Sequence, residues 1–410
     1  MNNFSELSLS PALQANLARN GFVQPTPVQA EAIPPALAGH DVVATAQTGT
    51  GKTLAFVLPL LEALTSKPVP MGVSALILSP TRELAIQIHE TFLKVAAGTG
   101  IRAAVVVGGL NEQTQLNSIR KGAQVIIATP GRLSDFLKRK LVKLGAARFV
   151  VLDEADRMLD MGFLPTIRMI LGTLPAGRQT LFFSATIEST VAHLVAEHLN
   201  NPIRIAIGSI TKPHEDIDLH LYEVEPDRKL GLLEHMLKNE EGSFLVFART
   251  KRGVDKLMKK LARTSVKVAC IHGDRSQNQR NQALRGFQDG QYRVLLATDV
   301  ASRGIHVDGI AHVVNYDLPQ APEDFIHRAG RTGRAGARGT TSTFATRADR
   351  GEVRRIEQML KLRLKVQPVS ADIPREDKNA PVIVMPTRKP EIRQRRFAPS
   401  RSRSRTGSGR

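Results

Sequence analysis

Three polar clusters in this sequence have the residue types and spacing of a phosphoryl-transfer site. The first is Ala46-Gln47-Thr48-Gly49-Thr50-Gly51-Lys52-Thr53, which follows a β-branched run and precedes an apolar helical run beginning at Leu54. Glycines there let backbone N–H groups approach phosphate oxygens, and a helix N-terminus adds positive potential. Lys52 is placed to bring charge to the β- and γ-phosphates and the Thr53 hydroxyl to hold Mg2+, as in a phosphate-binding loop. Ala46 stands where the general pattern has its first glycine. The second cluster is Asp153-Glu154-Ala155-Asp156, directly after Phe149-Val150-Val151-Leu152. Magnesium favours carboxylate oxygens and keeps several waters, so Asp153 is its expected second ligand, through water. Glu154 is the candidate to orient or deprotonate an attacking water. Alone, such a tetrapeptide reads as a helix start favoured by the helix dipole; the apolar strand before it and the upstream loop favour the chemical role. The third cluster is His327-Arg328-Ala329-Gly330-Arg331-Thr332-Gly333-Arg334. Arg331 and Arg334, three apart, would share one side of a helical turn. Their planar guanidinium groups suit phosphate oxygens and make them candidate arginine fingers. Without the first two clusters, this one would read as a contact to an RNA backbone.

Each cluster needs an element to hold it. Short apolar runs recur, including Asp41 to Ala44, Leu76 to Leu78, Val105 to Val107, Val125 to Ile127, Phe149 to Leu152 and Leu181 to Phe183. After a charged stretch from Gly208 to Asp218 the pattern restarts with Phe244 to Phe247, Val268 to Ile271, Val294 to Leu296 and His312 to Val314. Near-continuous apolar strands alternating with helices predict parallel sheets covered on both faces. The fold class is therefore α/β, with domains over 1–207 and 218–371 joined by a linker near 206–218. Nearly every polar cluster directly follows a strand, and the carboxyl ends of strands in such sheets form the ligand crevice.

From about Asp372 the pattern stops, and 372–410 reads as a disordered Arg/Ser-rich tail. Arg388 to Arg410 holds nine Lys or Arg residues and one acid, less than half of the net charge of +19. That charge calls for a polyanionic partner, and nucleic acid fits it best. The single cysteine, Cys270, excludes an intrachain disulfide. No charged leader with an apolar core opens the chain, and no apolar run approaches the ~20 residues of a membrane span. A cytoplasmic location is expected.

Taken together, these motifs resemble the DEAD-box RNA helicases over about residues 1–365, with the naming tetrapeptide at Asp153 to Asp156. The resemblance implies two RecA-like domains, ATP and Mg2+ as cofactors, and single-stranded or short duplex RNA bound without sequence preference. Gly21 to Gln29 looks like the family's Q motif. On that likeness Phe4, Phe22, Gln24 and Gln29 join Gln47, Thr48, Gly49, Thr50 and Gly51 in holding the nucleotide. Gln29 would read the adenine edge. Pro80, Thr81, Arg82, Gly109, Thr129, Gly131 and Arg132 match segments that grip the RNA backbone. So do Arg249, Thr250, Gly273, Thr298 and Arg303 in the second domain. Such groups contact phosphates without reading bases. Ser184 and Thr186, with Asp156 and His327, match the family's link between nucleotide state and RNA. One departure is His306, where relatives commonly carry an Asp facing the ribose; Asp308 is an alternative partner. The compact core and short basic tail are most similar to bacterial RhlE-type helicases. Ribosome-assembly or RNA-decay proteins are the partner classes this implies, with the tail contacting RNA.

Two other activities use the same motifs. One is an ATP-dependent clamp that retains RNA while other proteins assemble on it. The other is a DNA translocase, which the absence of Trp and the presence of only three Tyr disfavour, since few aromatic rings are available for base stacking.

Overall fold

The computed structural model describes residues 1–46, 49–66, 72–187, 189–207, 216–302, 307, 309–333 and 338–376. Within Met1–Arg375, one compact unit, two seven-stranded parallel sheets form. The first contains β1 (Val42–Thr45), β2 (Ala75–Leu78), β3 (Ala103–Val106), β4 (Val125–Ala128), β5 (Phe149–Leu152), β6 (Gln179–Ser184) and β7 (Ile203–Ala206). The second contains β8 (Ile217–Glu223), β9 (Phe244–Phe247), β10 (Val268–Ile271), β11 (Val294–Ala297), β12 (His312–Asn315), β13 (Gly339–Ala345) and β14 (Lys365–Gln367). The orders are β3-β4-β2-β5-β6-β1-β7 and β10-β11-β9-β12-β13-β8-β14. Adding seven to each strand number turns the first order into the second. One RecA-like topology is thus built twice.

Alternating residues of a strand face opposite sides of its sheet. Val42, Ala44, Ile77 and Val151 join one buried cluster, whereas Val43, Leu76, Leu78 and Val150 join another on the opposite side. Phe244 and Val246 are divided in the same way from Leu245 and Phe247. Burial on both faces explains why these strands read as unbroken apolar runs.

Four strands do not announce themselves in the sequence. Strand β13 carries Thr340, Thr341, Ser342 and Thr343, yet the last three are at most 1% exposed. Asn315 donates from Nδ2 to Thr343 Oγ1 at 3.1 Å, replacing water for two buried polar groups. Strand β8 alternates apolar and polar residues, and β7 and β14 are edge strands with mostly exposed side chains. Strand β8 begins at Ile217, inside the stretch read as linker; residues 208–215 lie outside the described residues. At the other end, Ile373 packs into the second core and Pro374 lies against Gly231, so ordered packing continues just past 371. The expected tail beyond Glu376 lies outside the described residues. Among the described residues, no helix is long and apolar enough to cross a membrane.

Candidate nucleotide and RNA site

The phosphate loop leaves the carboxyl end of β1 and enters the helix Lys52–Thr65 through Gly51, whose φ is +88°. The conformation favours glycine, and a Cβ there would lie 2.4 Å from Gln29 Nε2 and displace that carboxamide. Gln29 Nε2 donates to Gly51 O at 2.9 Å, and Gln29 Oε1 accepts from Thr26 N at 2.9 Å. Its carboxamide is therefore oriented by the loop it borders, with one N–H and one lone pair left over. Lys52 is buried and donates from Nζ to Ala46 O at 3.0 Å. Gln47 and Thr48 lie outside the described residues. Phe4 is buried in the core cluster against which Phe22 packs, and Gln24 is exposed.

Asp153 and Glu154 follow β5 and are 2% and 3% exposed. Glu154 has a left-handed backbone, φ +48°, and its Oε2 pairs with Arg157 Nη1 at 3.1 Å. Burial raises the Asp153 carboxyl to about 7, with Lys52 opposing that rise and Glu154 and Asp156 adding to it. An acid this short of counter-charge, among hard oxygen donors, fits Mg2+. A carboxyl whose folded value lies above its unfolded 3.8 stabilises the fold most at low pH, and that contribution is lost as pH rises through about 7. Without Mg2+ and nucleotide, wild type should therefore lose more melting temperature between pH 6 and 8 than Asp153→Asn does. Mg2+ with ATP should raise the melting temperature more at pH 8 than at pH 6. Parallel pH slopes for the two proteins would refute this account of Asp153.

Asp156 ties β5 to β6. Its Oδ2 accepts from Ala185 N and Thr186 N, both at 2.9 Å, and from Thr186 Oγ1 at 3.2 Å. Asp156 N donates to Ser184 Oγ at 3.3 Å, and Ser184 Oγ donates to Thr186 O at 2.7 Å.

The second sheet brings its own residues to the same place. Arg157 lines a cavity of about 10 Å3 with His327, Arg331 and Arg328. Burial holds His327 well below its ordinary value, and Arg157, Arg331 and Lys52 push it the same way against Glu154. Histidine is thus neutral here, and residues of both halves act on it. Arg331 is 2% exposed and donates from Nε to His327 O at 3.1 Å. The helix holding His327 spans Pro322–Ala329, so Arg331 lies beyond it. Gly333 has a left-handed backbone, φ +65°. Arg334, Arg303 and His306 lie outside the described residues. Arg328 is committed to structure: it pairs with Asp299, donates to Asn315 Oδ1 and Asp317 O, and covers the Phe247 ring at 4.8 Å.

The backbone-gripping candidates surround helix N-termini after β2, β4 and β9. Thr81 caps the helix Arg82–Val95, accepting from Leu84 N at 3.2 Å beside buried Pro80. The Arg82 guanidinium lies against Gly109, where a Cβ would come within 2.3 Å of Nη1. Thr129 opens the helix Pro130–Lys138, Gly131 is exposed in its first turn, and Arg132 pairs with Glu112 at 3.0 Å. In the second half, Thr250 caps the helix Lys251–Leu261, Arg249 N donates to Asp317, and Gly273 lies against Lys251. Thr298 is buried just past β11.

The family described as DEAD/DEAH box helicase matches residues 26–194, and the helicase conserved C-terminal domain matches residues 228–336. The DEAD-box ATP-dependent RNA helicase CshA of Geobacillus kaustophilus is 40% identical over 376 residues, covering 91% of this chain and 80% of the relative. The chain belongs to the DEAD-box helicases. The ATP-dependent RNA helicase RhlB of Xanthomonas oryzae pv. oryzae is 43% identical over 379 residues, which is 90% of this DEAD-box chain but only 66% of that protein's length. Neither name is RhlE, and the assignment stands at the family. Among solved structures, S. cerevisiae Dbp5 bound to RNA and ADP BeF3 superposes with a TM-score of 0.81 at 30% identity, covering 90% of this chain and 96% of that one.

One set of contacts in this DEAD-box protein was missed in the sequence. Arg280 Nη2 pairs with Glu83 Oε2 at 3.1 Å, and Gln277 Nε2 donates to Glu83 Oε1 at 2.7 Å. Glu83 lies in the first turn of the helix after β2, and the other two lie on the helix Gln277–Gln288 after β10. Only distance in sequence hid them, for neither half shows the need for a partner. Arg280→Ala should weaken RNA binding in the presence of an ATP analogue by about 2 kcal/mol, roughly thirtyfold. Binding without nucleotide should change little. In a Glu83→Gln background the same change should cost less; equal losses in both backgrounds would show that the pair does not couple.

Proposed function

We propose that this protein is an RNA-dependent ATPase that grips single-stranded RNA with both halves and locally opens short duplexes. The observation carrying this reading is that Arg157, paired with Glu154 in the first half, lines one small cavity with His327 and Arg331 of the second. Phosphoryl transfer needs mainly positioning and charge stabilisation. Lys52 would hold the phosphates, Glu154 would orient the water, and Arg331 and Arg334 would meet the charge that develops. Mg2+, held by Thr53 and Asp153, would neutralise phosphate oxygens. Residues 1–207 and 218–371 act as the two halves. RNA held at the helix N-termini of both is forced into one path, and a strand bent along it leaves its A-form partner. The arrangement of the halves supports this, because it superposes on a relative described as bound to RNA and ADP BeF3. The tail 372–410 adds RNA contact through its charge. Ribosome-assembly or RNA-decay proteins are the partners this activity suits.

The test is displacement of one strand from a short RNA duplex, with ATP and with a non-hydrolysable analogue. ATP-dependent release is expected. Stable ATP-dependent retention without release would make the protein a clamp, and stronger ATPase stimulation by matched DNA would overturn the choice of RNA.

A further inference from the structure

Among the described residues, one group brings three metal-ligand side chains within 4.8 Å of one another: Asp255, Cys270 and His272. Cys270 lies on β10 and His272 just past its end. Two positions apart on an extended chain, their side chains leave on the same side. Asp255 meets them from the helix Lys251–Leu261. At present the group surrounds a guanidinium. Arg275 Nη2 donates to Asp255 Oδ1 at 2.9 Å and to Cys270 Sγ at 3.2 Å, and Arg275 Nε donates to His272 Nε2 at 3.2 Å. Three ligand atoms of three kinds converge on one positive charge.

His272 Nε2 lies 3.2 Å from both Arg275 Nε and Asp255 Oδ1, at the centre of the group. Exposure then divides the group. Cys270 and His272 are 6% and 3% exposed, whereas the side chains of Asp255 and Arg275 are 42% and 31% exposed. The inner ligands are held by the core, and the guanidinium has a way out to solvent.

We propose that Asp255, Cys270 and His272 form a zinc site, which Arg275 fills in the metal-free protein and vacates when the ion binds. Thiolate, imidazole and carboxylate are zinc's own donor types, and water completes four-coordination. Mg2+ prefers oxygen donors and does not compete here. On binding, the Cys270 S–H bond breaks, the sulfur keeps the electron pair and bonds zinc, and the proton leaves to solvent. Release of that proton makes affinity increase with pH, by up to about tenfold per unit. The ion would tie the loop His272-Gly273-Asp274 to the helix beside it. Lys251 already pairs with Asp274 there at 2.6 Å, so occupancy would adjust a loop assigned above to RNA.

Cobalt(II) is the probe, added to the full chain, without an affinity tag and with Mg2+ in excess. One ion per chain should bind with a near-ultraviolet thiolate-to-cobalt band, and Zn2+ should displace it. Zinc affinity, read by competition with a chromophoric chelator, should fall about tenfold or more in His272→Ala and in the exposed-site variant Asp255→Asn, and rise in Arg275→Ala. Circular dichroism confirms that each variant is folded. No thiolate band in the wild-type protein overturns the proposal, as does a zinc affinity unchanged in Asp255→Asn or in His272→Ala.

Discussion

Replacing Arg331 with alanine is expected to lower kcat for RNA-stimulated ATP hydrolysis by about 10³- to 10⁵-fold. The side chain is 2% exposed, held through Nε by His327 O, and its charge reaches His327 together with that of Lys52. In the proposed reaction it would meet the negative charge that builds up during transfer. A low-dielectric setting makes a fixed guanidinium worth far more there than in water. Arg331→Lys should recover only part of the loss, because an ammonium lacks the planar fork. Single-turnover hydrolysis with saturating RNA is the measurement, and melting curves separate catalytic loss from unfolding. A rate within a few-fold of wild type would remove Arg331 from the chemistry.

Glu154→Gln should also stop turnover, by about 10²- to 10⁴-fold, but with a different signature. The amide keeps the shape of the side chain and can still accept from Arg157 Nη1, now 3.1 Å from the carboxylate. The left-handed backbone at this position is unchanged by the swap. ATP binding and ATP-dependent RNA binding should therefore survive, leaving a protein that closes on RNA and stays there. Filter binding and phosphate release on the same preparation give both readings. Wild-type phosphate release would deny Glu154 its role with the attacking water, and loss of RNA binding would show that its carboxylate serves closure instead.

The chemical residues were legible because their types are rare at such positions. Two consecutive acids after a strand as apolar as Phe149 to Leu152 have few structural uses, and Lys52 after two closely spaced glycines has fewer. The strands flanking them were legible for the same reason, being buried on both faces. Strand β13 was not, since its run of hydroxyl side chains reads as surface, and the partner that Thr343 finds in Asn315 is one that only the folded chain brings near. Nor was the pairing of Glu83 with Arg280, which joins residues almost two hundred positions apart. Arg157 escaped notice as an ordinary helix residue, although it is 3% exposed and pairs with Glu154. The helical placement of Arg331 failed for a local reason: the helix ends at Ala329.

The repeated strand order has an arithmetical consequence. Strand β8 occupies in its sheet the station that β1 holds in the other, and β1 is the strand that delivers the phosphate loop. Strand β8 instead leads into Val224-Glu225-Pro226-Asp227-Arg228, with no glycine and two acids, ahead of the helix Lys229–Asn239. Carboxylates at that crest repel a polyphosphate, and a prolyl nitrogen has no hydrogen to offer it. An architecture with two stations for a nucleotide therefore loads one. Saturation should occur at a single ATP per chain with a hyperbolic isotherm, and each round of closing and reopening should consume one molecule of fuel.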